Sequence, residues 1–378
     1  MTDSKQQTKG SSNSNLGDAK RNKNDEFYTR LEDVSNELHH YRHHFKNKVV
    51  YCNCDDPYVS AFFEYFSKNF EELGLKKLIT TCYRNRKAGQ FSEHDSKQAV
   101  KLVYEGGAAL SMPTIEDAVM TPLKGDGDFR SPECLELLNE ADIVVTNPPF
   151  SLFREYIAQL IEHDKRFLVV GNMNAITYRE VFPLVKSNKL WLGYKSTSRD
   201  MYFYVTDEHA KTLVETKKEG SAWVRIDGKI YGRLASAIWF TNLDHDKRHR
   251  PLDLYKQYSP DEFPHYDNYD AIEVGRVAEI PEDWNGIMGV PITFLDKYCP
   301  EQFEIIGITK TWDDPAGFKT KIYPMQTQVS KSGKKSSVSK LNDGAAIELE
   351  EPPSSTHYIV QEKIYIQLYA RLLIRKKI

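Results

Sequence analysis

The chain has 378 residues and a formal net charge of −3, and 40% of its residues are hydrophobic and 28% charged, as in soluble globular proteins. No apolar run approaches the roughly 20 residues of a membrane-spanning helix, and the polar start MTDSKQQTKG lacks the apolar core of a secretory signal. Five scattered cysteines without a CxxC pair favour a reducing compartment over a disulfide framework. We therefore expect a cytoplasmic protein, and the length allows one large domain plus a smaller one or two ordinary domains.

The first segment, residues 1–24, is rich in Ser, Asn, Lys and Gln and has almost no large apolar side chains. Such a segment buries too little surface to offset its ordering entropy, so we predict a disordered, mildly basic tail. Two interpretations stay open: a solvated tail without a role, or contact of Lys20, Arg21 and Lys23 with a phosphate backbone.

From about residue 25 to 242, strand-like and helix-like segments alternate. KVVYCNC (Lys48–Cys54) predicts a first strand, YVSAFFEYFSKNF after Pro57 an apolar-faced helix, and KKLITTCY (Lys76–Tyr83) a second strand. Strands that alternate with helices indicate βαβ units and a mostly parallel sheet.

The same alternation continues further along the chain. Ser131 and Pro132 predict a helix start, with a capping hydroxyl and a proline in the first turn. DIVVTN then predicts a strand, the segment from about Leu152 to Glu162 a helix, and RFLVVGNM another buried strand.

A hairpin is predicted at AWVRIDGKIYGRL, where Asp227 and Gly228 separate two β-type runs. SAIWFTNL follows as one more strand. We therefore expect the parallel sheet to carry an antiparallel hairpin at one edge.

After about residue 245 the composition changes to Pro, Tyr, Asp and short β-like runs, which predicts a smaller, β-rich second domain at 246–378. Within it, QVSKSGKKSSVSKLND (328–343) is basic and rich in Ser and Gly. We predict that this segment is an exposed, mobile loop.

The chemistry is concentrated where the strand Ile143-Val144-Val145 runs into Asn147-Pro148-Pro149-Phe150. The two prolines lack N–H groups and fix φ, so they end the strand rigidly. In open α/β sheets the carboxyl ends of strands border the ligand crevice.

Two acceptors at this point, the Asn147 amide and the Pro148 carbonyl, suit an exocyclic amino group with its two N–H donors. Acceptors that draw the amino nitrogen towards tetrahedral geometry localise its lone pair, and Phe150 can stack on the ring. The pattern predicts attack by adenine N6 on an activated methyl group; an ordinary strand-to-loop turn is the alternative.

NPPF resembles the catalytic motif of S-adenosylmethionine-dependent N6-adenine methyltransferases. DEFYTR (Asp25–Arg30), KVVYCNCDDP (Lys48–Pro57) and GDGDFRSPECLELL (Gly125–Leu138) are similar to the EcoRI-type adenine-specific DNA methyltransferases in particular. The resemblance extends from about Asp25 through the catalytic half and more weakly into the C-terminal part. It implies a Rossmann-like class I methyltransferase sheet in a catalytic domain at 25–245, followed by a DNA-recognition region.

The resemblance also implies roles for individual residues. The residues that match the catalytic, target-base motif are Asn147, Pro148, Pro149 and Phe150. The residues that match cofactor-binding positions are Phe27 and Thr29 at the methionine end, Asp55, Asp56 and Pro57 after the first strand, and Asp128 and Phe129 at the adenine.

Two features depart from the general methyltransferase pattern. CDDPYVSAF has no glycine where a Gly-x-Gly turn is usual, so we expect side chains to contact the cofactor there. TTCYRNR after the second strand has no acidic residue for the ribose, which leaves Asp55 or Asp56 as candidates.

Two other patterns are weaker evidence for a functional site. ELHHYRHHF places histidines four apart, but Glu37 and His44 would lie roughly 10 Å apart along a helix, so we predict a polar helix face and no metal site. Cys299 precedes a proline, whereas cytosine-C5 methyltransferases have their nucleophilic cysteine after one, so we discount covalent catalysis.

We therefore predict transfer of a methyl group from S-adenosylmethionine to adenine N6 in duplex DNA, by base flipping and direct transfer. The resemblance gives GAATTC as the candidate site, in a monomeric prokaryotic or phage enzyme that acts beside an independent restriction endonuclease. Phosphate contacts are predicted for Lys331, Lys334, Lys335 and Lys340. The alternatives are an RNA adenine methyltransferase, a protein glutamine methyltransferase and a catalytically inactive DNA-binding module.

Overall fold

The computed structural model describes residues 28–54, 60–82, 99–107, 117–313 and 317–377. The chain forms two compact units. The first comprises the residues up to Met173 and Leu192–Leu243, and the second comprises Asn174–Trp191 and the residues from Asp244 onward. A segment from the middle of the chain therefore belongs to the same unit as the C-terminal part.

The α-helices of the described ranges are α1 (Leu31–Leu38), α2 (Ala61–Lys68), α3 (Phe70–Leu73), α4 (Pro132–Glu140), α5 (Phe153–Glu162), α6 (Phe182–Lys186) and α7 (Asp207–Thr216). The predicted start of α4 is confirmed, because Ser131 Oγ accepts from the Cys134 N–H and Pro132 occupies the first turn. None of these helices is long and apolar enough to cross a bilayer.

The strands of the first part of the chain are β1 (Val49–Cys52), β2 (Lys77–Thr81), β3 (Val100–Tyr104), β4 (Val119–Pro122), β5 (Ile143–Thr146), β6 (Arg166–Asn172), β7 (Trp191–Leu192), β8 (Met201–Tyr204), β9 (Trp223–Ile226), β10 (Lys229–Leu234) and β11 (Ala237–Thr241). Later strands are β12 (Ile272–Glu273), β13 (Met288–Pro291), β14 (Phe303–Ile308), β15 (Gln326–Val329), β16 (Lys335–Val338), β17 (Ala346–Leu349), β18 (His357–Val360), β19 (Lys363–Gln367) and β20 (Arg371–Lys376).

A large mixed sheet organises the first unit, in the order β4-β3-β2-β1-β5-β6-β11-β7. Its middle strands β2, β1, β5 and β6 are parallel, and β3, β4 and β11 pair antiparallel at the two sides. Every residue of β1 and β5 is buried, which explains their unbroken apolar sequences. The parallel register brings the carboxyl ends of these central strands to one edge.

The predicted hairpin forms, but in another place. Asp227 and Gly228 have φ of 48° and 79°, the left-handed values that a type I′ turn requires, and β9 pairs with β10. These strands form a separate sheet with the order β8-β10-β9. The prediction of this hairpin at an edge of the large sheet is therefore wrong; the antiparallel edge next to β2 is formed by β3 and β4.

The core of the first unit contains side chains from the large sheet and from α1 and α2. Phe62 and Trp239 contact edge to face at 6.0 Å between ring centroids, and Phe45 meets Phe66 in the same way at 5.1 Å. This packing holds the sheet rigid beneath the edge at which its central strands end.

The second unit contains two sheets, β12-β13-β20-β14 and β16-β15-β18-β19-β17, so the predicted β-rich character is confirmed. The segment 328–343, predicted as a loop, is largely a hairpin in which Val329 pairs with Lys335 and Gly333 turns with φ of 79°. The sequence did not indicate strands because β16 is an exposed edge strand with mostly Lys and Ser in place of apolar residues, and only Gln328 and Val329 of the interior strand β15 fall in the segment.

Candidate active site

A buried asparagine joins the ends of β1 and β5. Asn53 is 2% exposed; its carbonyl accepts from Thr146 Oγ1, and its Oδ1 accepts from the Tyr156 hydroxyl of α5. Burial also raises the pKa of Tyr156 well above its usual value, so the phenol stays a hydrogen-bond donor. Asn53 therefore links the ends of β1 and β5 to helix α5 through its backbone carbonyl and its side chain.

The chain turns sharply just after Asn53. Cys54 has φ of 60°, in the left-handed region that glycine favours and other residues rarely adopt. The predicted cofactor residues Phe27, Asp55, Asp56 and Pro57 lie outside the described residues, and their roles stay predictions.

The NPPF segment begins directly after β5. Asn147 is 6% exposed, Pro148 is buried and Phe150 is 8% exposed at the start of a 3-10 turn, Phe150–Leu152. Asn147 Nδ2 donates to Thr29 Oγ1 at 3.3 Å. This bond orients the side-chain amide of Asn147 with its nitrogen towards Thr29.

Thr29 reaches Asn147 because its own segment is paired to the small sheet. Thr29 forms an antiparallel bridge with Phe203, and the Tyr204 N–H donates to the Tyr28 carbonyl at 3.0 Å. Thr29 is 3% exposed. The structure thus brings together two predicted site residues that are 118 positions apart in the sequence.

The other predicted cofactor segment, Asp128-Phe129, lies against the end of β2. Gly127 has φ of 81°, and a Cβ there would overlap the Cys82 carbonyl oxygen and lie 3.1 Å from Ala99 Cβ. Only glycine allows this close approach of two backbone segments.

Helix α5 also contacts the Asp128-Phe129 segment, through Tyr156 and Gln159. The Phe129 ring is 4% exposed and meets the Tyr156 ring edge to face at 5.0 Å, while the Phe129 carbonyl accepts from Gln159 Nε2 at 3.2 Å. Because Tyr156 also bonds Asn53, the Asp128-Phe129 segment and the end of β1 share one support.

Asp128 carries the negative charge of this segment. Arg130 donates to both carboxylate oxygens, from Nε at 2.9 Å and from Nη2 at 2.7 Å. These bonds lower the pKa of Asp128 below its ordinary value. The carboxylate is therefore an acceptor at neutral pH, even after the Arg130 contact, since each oxygen can accept more than one bond.

The histidine-rich segment has a structural role. His39–His44 form a 3-10 helix, and the His40 ring stacks on Tyr194 with 3.3 Å between centroids. Glu37, 1% exposed, accepts from the Tyr41 hydroxyl and from the backbone N–H groups of Tyr194 and Lys195 at 2.6–2.9 Å. Across the part of the chain that is described, no group of three or more His, Cys, Asp or Glu side chains is arranged for a metal.

Sequence reasoning missed Asn53, Tyr156 and Gly127. The position of Asn53 at a strand end was a usable signal, as was Gly127 between two aspartates. Tyr156 gave none, because a tyrosine on the apolar face of a helix usually indicates core packing.

Comparison with known proteins now identifies the family. The profile of the family described as adenine-specific methyltransferase EcoRI matches residues 15–377. The chain belongs to this family. The family inferred from NPPF and its companion motifs is thereby confirmed, and the protein is an adenine-specific DNA methyltransferase.

Three relatives support the assignment to the EcoRI family. The chain is 48% identical to the Type II methyltransferase M.EcoRI of Escherichia coli over 310 residues, which are 81% of this chain and 92% of the relative. It is 41% identical to M.MgeORF184P of Mycoplasma genitalium over 290 residues, 76% and 84% of the two chains. It is 40% identical to M.MpnI of Mycoplasma pneumoniae over 290 residues, 76% and 83%.

No solved structure matches the chain significantly. The mixed sheet with its additional β-rich sheets is consistent with a methyltransferase of this family.

Proposed function

We propose that this enzyme transfers a methyl group from S-adenosylmethionine to N6 of an adenine in a specific duplex DNA site, as the modification enzyme of a restriction–modification system. The observation that carries the proposal is the buried Asn147 amide, held at the end of β5 by Thr29 and followed by a rigid Pro-Pro turn. A buried amide beside a rigid turn supports an acceptor site for an amino group better than an ordinary strand-to-loop turn does.

The residues fit the cofactor. The close approach at Gly127 holds the Asp128-Phe129 segment against the end of β2. The ionised Asp128 suits the amino N–H of the cofactor's adenine, and Phe129 would pack on that ring after a change from the buried position it has here. Thr29 would lie at the methionine end, beside Asn147. When bound, S-adenosylmethionine supplies an electrophilic methyl group on its sulfonium.

The chain's own groups act on the target amine. Asn147 Oδ1 and the Pro148 carbonyl would accept its two N–H bonds, which localises the nitrogen lone pair and stabilises the charge that develops on nitrogen during transfer. No general base is needed beforehand, because the proton leaves the methylated nitrogen afterwards.

The target base must leave the duplex to reach a pocket at a strand end. Extrusion costs a few kcal/mol of stacking and pairing. Phe150 would recover part of this by stacking on the extruded ring, after a change from the mostly buried position it has here.

The second unit is proposed to read the DNA, with Lys331, Lys334 and Lys335 of the β15–β16 hairpin and Lys340 beyond it contacting phosphates. All four lysines are exposed. GAATTC is the first sequence to test, and a monomer is sufficient because one strand is methylated in each event.

A transfer assay tests the proposal. The protein is incubated with methyl-tritiated S-adenosylmethionine and, separately, GAATTC duplex, a scrambled duplex, RNA of the same sequence and a glutamine-containing peptide. We expect label in N6-methyldeoxyadenosine, from the GAATTC duplex above all. Label in RNA or peptide alone, or in no substrate, would contradict the proposal.

A further inference from the structure

Two large apolar side chains of the second unit project into solvent close together in the sequence. Ile322 is 70% exposed and Met325 is 84% exposed, while Tyr323 between them is 1% exposed. Single exposed apolar residues are common, but a pair on one short turn indicates an interaction surface. We call Ile322 and Met325 the apolar pair.

The turn that carries the apolar pair is fixed. The Asn342 side-chain amide makes two hydrogen bonds of 2.9 Å to the Tyr323 backbone: Oδ1 accepts from the N–H, and Nδ2 donates to the carbonyl. Gln326 Nε2 donates to the same carbonyl at 3.1 Å, and the Tyr323 hydroxyl donates to Asp267 at 2.6 Å. The apolar pair is therefore presented from a preorganised backbone, which lowers the entropy cost of binding.

Charge around the turn indicates the partner. Six lysines and no acidic residue occur between Gly317 and Asn342, in a chain whose formal net charge is −3. Lys319 and Lys321 directly precede the apolar pair, and Lys340 begins the 3-10 turn that contains Asn342. Of the acidic residues beside this stretch, Asp267 pairs with Lys321 at 2.6 Å and Asp343, directly after Asn342, pairs with Lys310 at 3.0 Å. Exposed apolar side chains flanked by lysines are complementary to double-stranded DNA, in which a charged phosphate backbone surrounds apolar stacked bases.

We infer that the apolar pair is a DNA wedge: Ile322 and Met325 insert between stacked base pairs while the neighbouring lysines hold the phosphates. Proteins that kink duplex DNA use aliphatic side chains and methionine in this way and offset the unstacking cost by the surface that the bent DNA contacts. The inference rests on the proposed function, since it takes duplex DNA as the substrate.

The double variant I322A/M325A tests the wedge. Affinity is measured for an intact duplex and for the same duplex with one mismatched, already unstacked step. We expect binding about tenfold weaker to the intact duplex, and a clearly smaller effect with the mismatched duplex, because there the unstacking is already done. V119A removes a similarly exposed aliphatic side chain, at 67%, from the first unit and should change neither affinity.

The outcomes separate the two proposals. Wild-type methylation of duplex DNA together with unchanged binding by I322A/M325A would overturn the wedge and leave the proposed function intact. An equal weakening on both duplexes would also overturn insertion, since it indicates surface contact without unstacking. If the wild-type protein neither binds nor methylates duplex DNA, the proposed function fails and the wedge fails with it.

Discussion

At the scale of single residues, two buried asparagines define the site. Asn53 links β1, β5 and α5 through its carbonyl and its side chain, and Asn147 is oriented by Thr29. An amide suits both positions because it hydrogen-bonds at both ends without placing a charge in a buried setting.

Substitution of Thr29 tests the orientation of the Asn147 amide. Thr29→Val keeps the shape but removes the acceptor of Asn147 Nδ2, which costs about 1–3 kcal/mol for a buried donor left without its bond. We expect single-turnover methyl transfer to fall by roughly 5- to 160-fold, which is the same energy expressed as a rate.

Thr29→Ser is the matched control, because it keeps the hydroxyl and should retain most of the rate. Equal rates for the wild-type and valine enzymes would show that this hydrogen bond does not position the amide.

The sequence predicted Asn147 and Phe150 because their signal is local: an apolar strand followed at once by two prolines. It could not predict that Thr29 contacts Asn147 across 118 positions. That contact depends on the pairing of the Thr29 segment with β8, which no local pattern reveals.

At the scale of elements, the segment before α4 depends on how closely two backbones approach. Gly127 lies against the Cys82 carbonyl at the end of β2, and α5 supports the neighbouring Phe129 through Tyr156 and Gln159. The proposed cofactor contacts of Asp128 and Phe129 follow from this placement.

Gly127→Ala tests that placement. Its Cβ would overlap the Cys82 carbonyl and its φ of 81° is strained for alanine, so the segment must move. We expect cofactor affinity, measured by calorimetry, to fall at least about tenfold, with a decrease of roughly 1–2 kcal/mol in the free energy of unfolding.

Gly125→Ala is a matched control on the same segment, because a Cβ there meets nothing within 4 Å. It should bind the cofactor normally. An alanine at 127 that left both affinity and melting temperature unchanged would contradict the close approach.

Elements with local signals were predictable: the Ser131 cap, the Asp227-Gly228 turn and the buried strand β5. The sheet in which the hairpin lies was not, because pairing of β10 with β8 is decided by packing between distant segments. Strand β16 in 328–343 was missed because an exposed edge strand made mostly of Lys and Ser resembles a loop in sequence.

At the scale of the whole molecule, charge is unevenly distributed. The stretch between Gly317 and Asn342 contains six lysines and no acidic residue, although the whole chain has a formal net charge of −3. Three of them, Lys331, Lys334 and Lys335, are exposed on or beside the turn of the β15–β16 hairpin.

Neutralising these three lysines tests the proposed phosphate contacts. In a variant with Gln at 331, 334 and 335, the slope of log affinity against log salt should become shallower by roughly 0.9 for each phosphate that a lysine no longer neutralises. Gln at Lys211, Lys217 and Lys218 is the charge-matched control. An unchanged slope in the hairpin variant would exclude DNA binding by these side chains.

A pH dependence of stability is expected from the second unit. Hydrogen bonds to Asp244 and Glu301 raise the pKa of His249 above its ordinary value. A raised folded-state pKa means that this stabilisation is fully present below the unfolded pKa and is lost as pH rises through the folded pKa.

The melting temperatures of wild type and His249→Gln should therefore differ most below about pH 6.5, the ordinary pKa of an unfolded histidine, and should converge as the pH rises above the raised folded-state pKa. A difference that grows with pH would contradict the charged pairing.

The central claim, that Asn147 activates an adenine amino group, is tested most directly by single-turnover methyl transfer to duplex DNA with wild type and Asn147→Ala, alongside cofactor affinity for both. We predict label in N6-methyldeoxyadenosine for the wild type, a rate at least about 100-fold lower for the variant, and nearly equal cofactor affinities. A variant that methylates adenine at a near-normal rate would contradict the account.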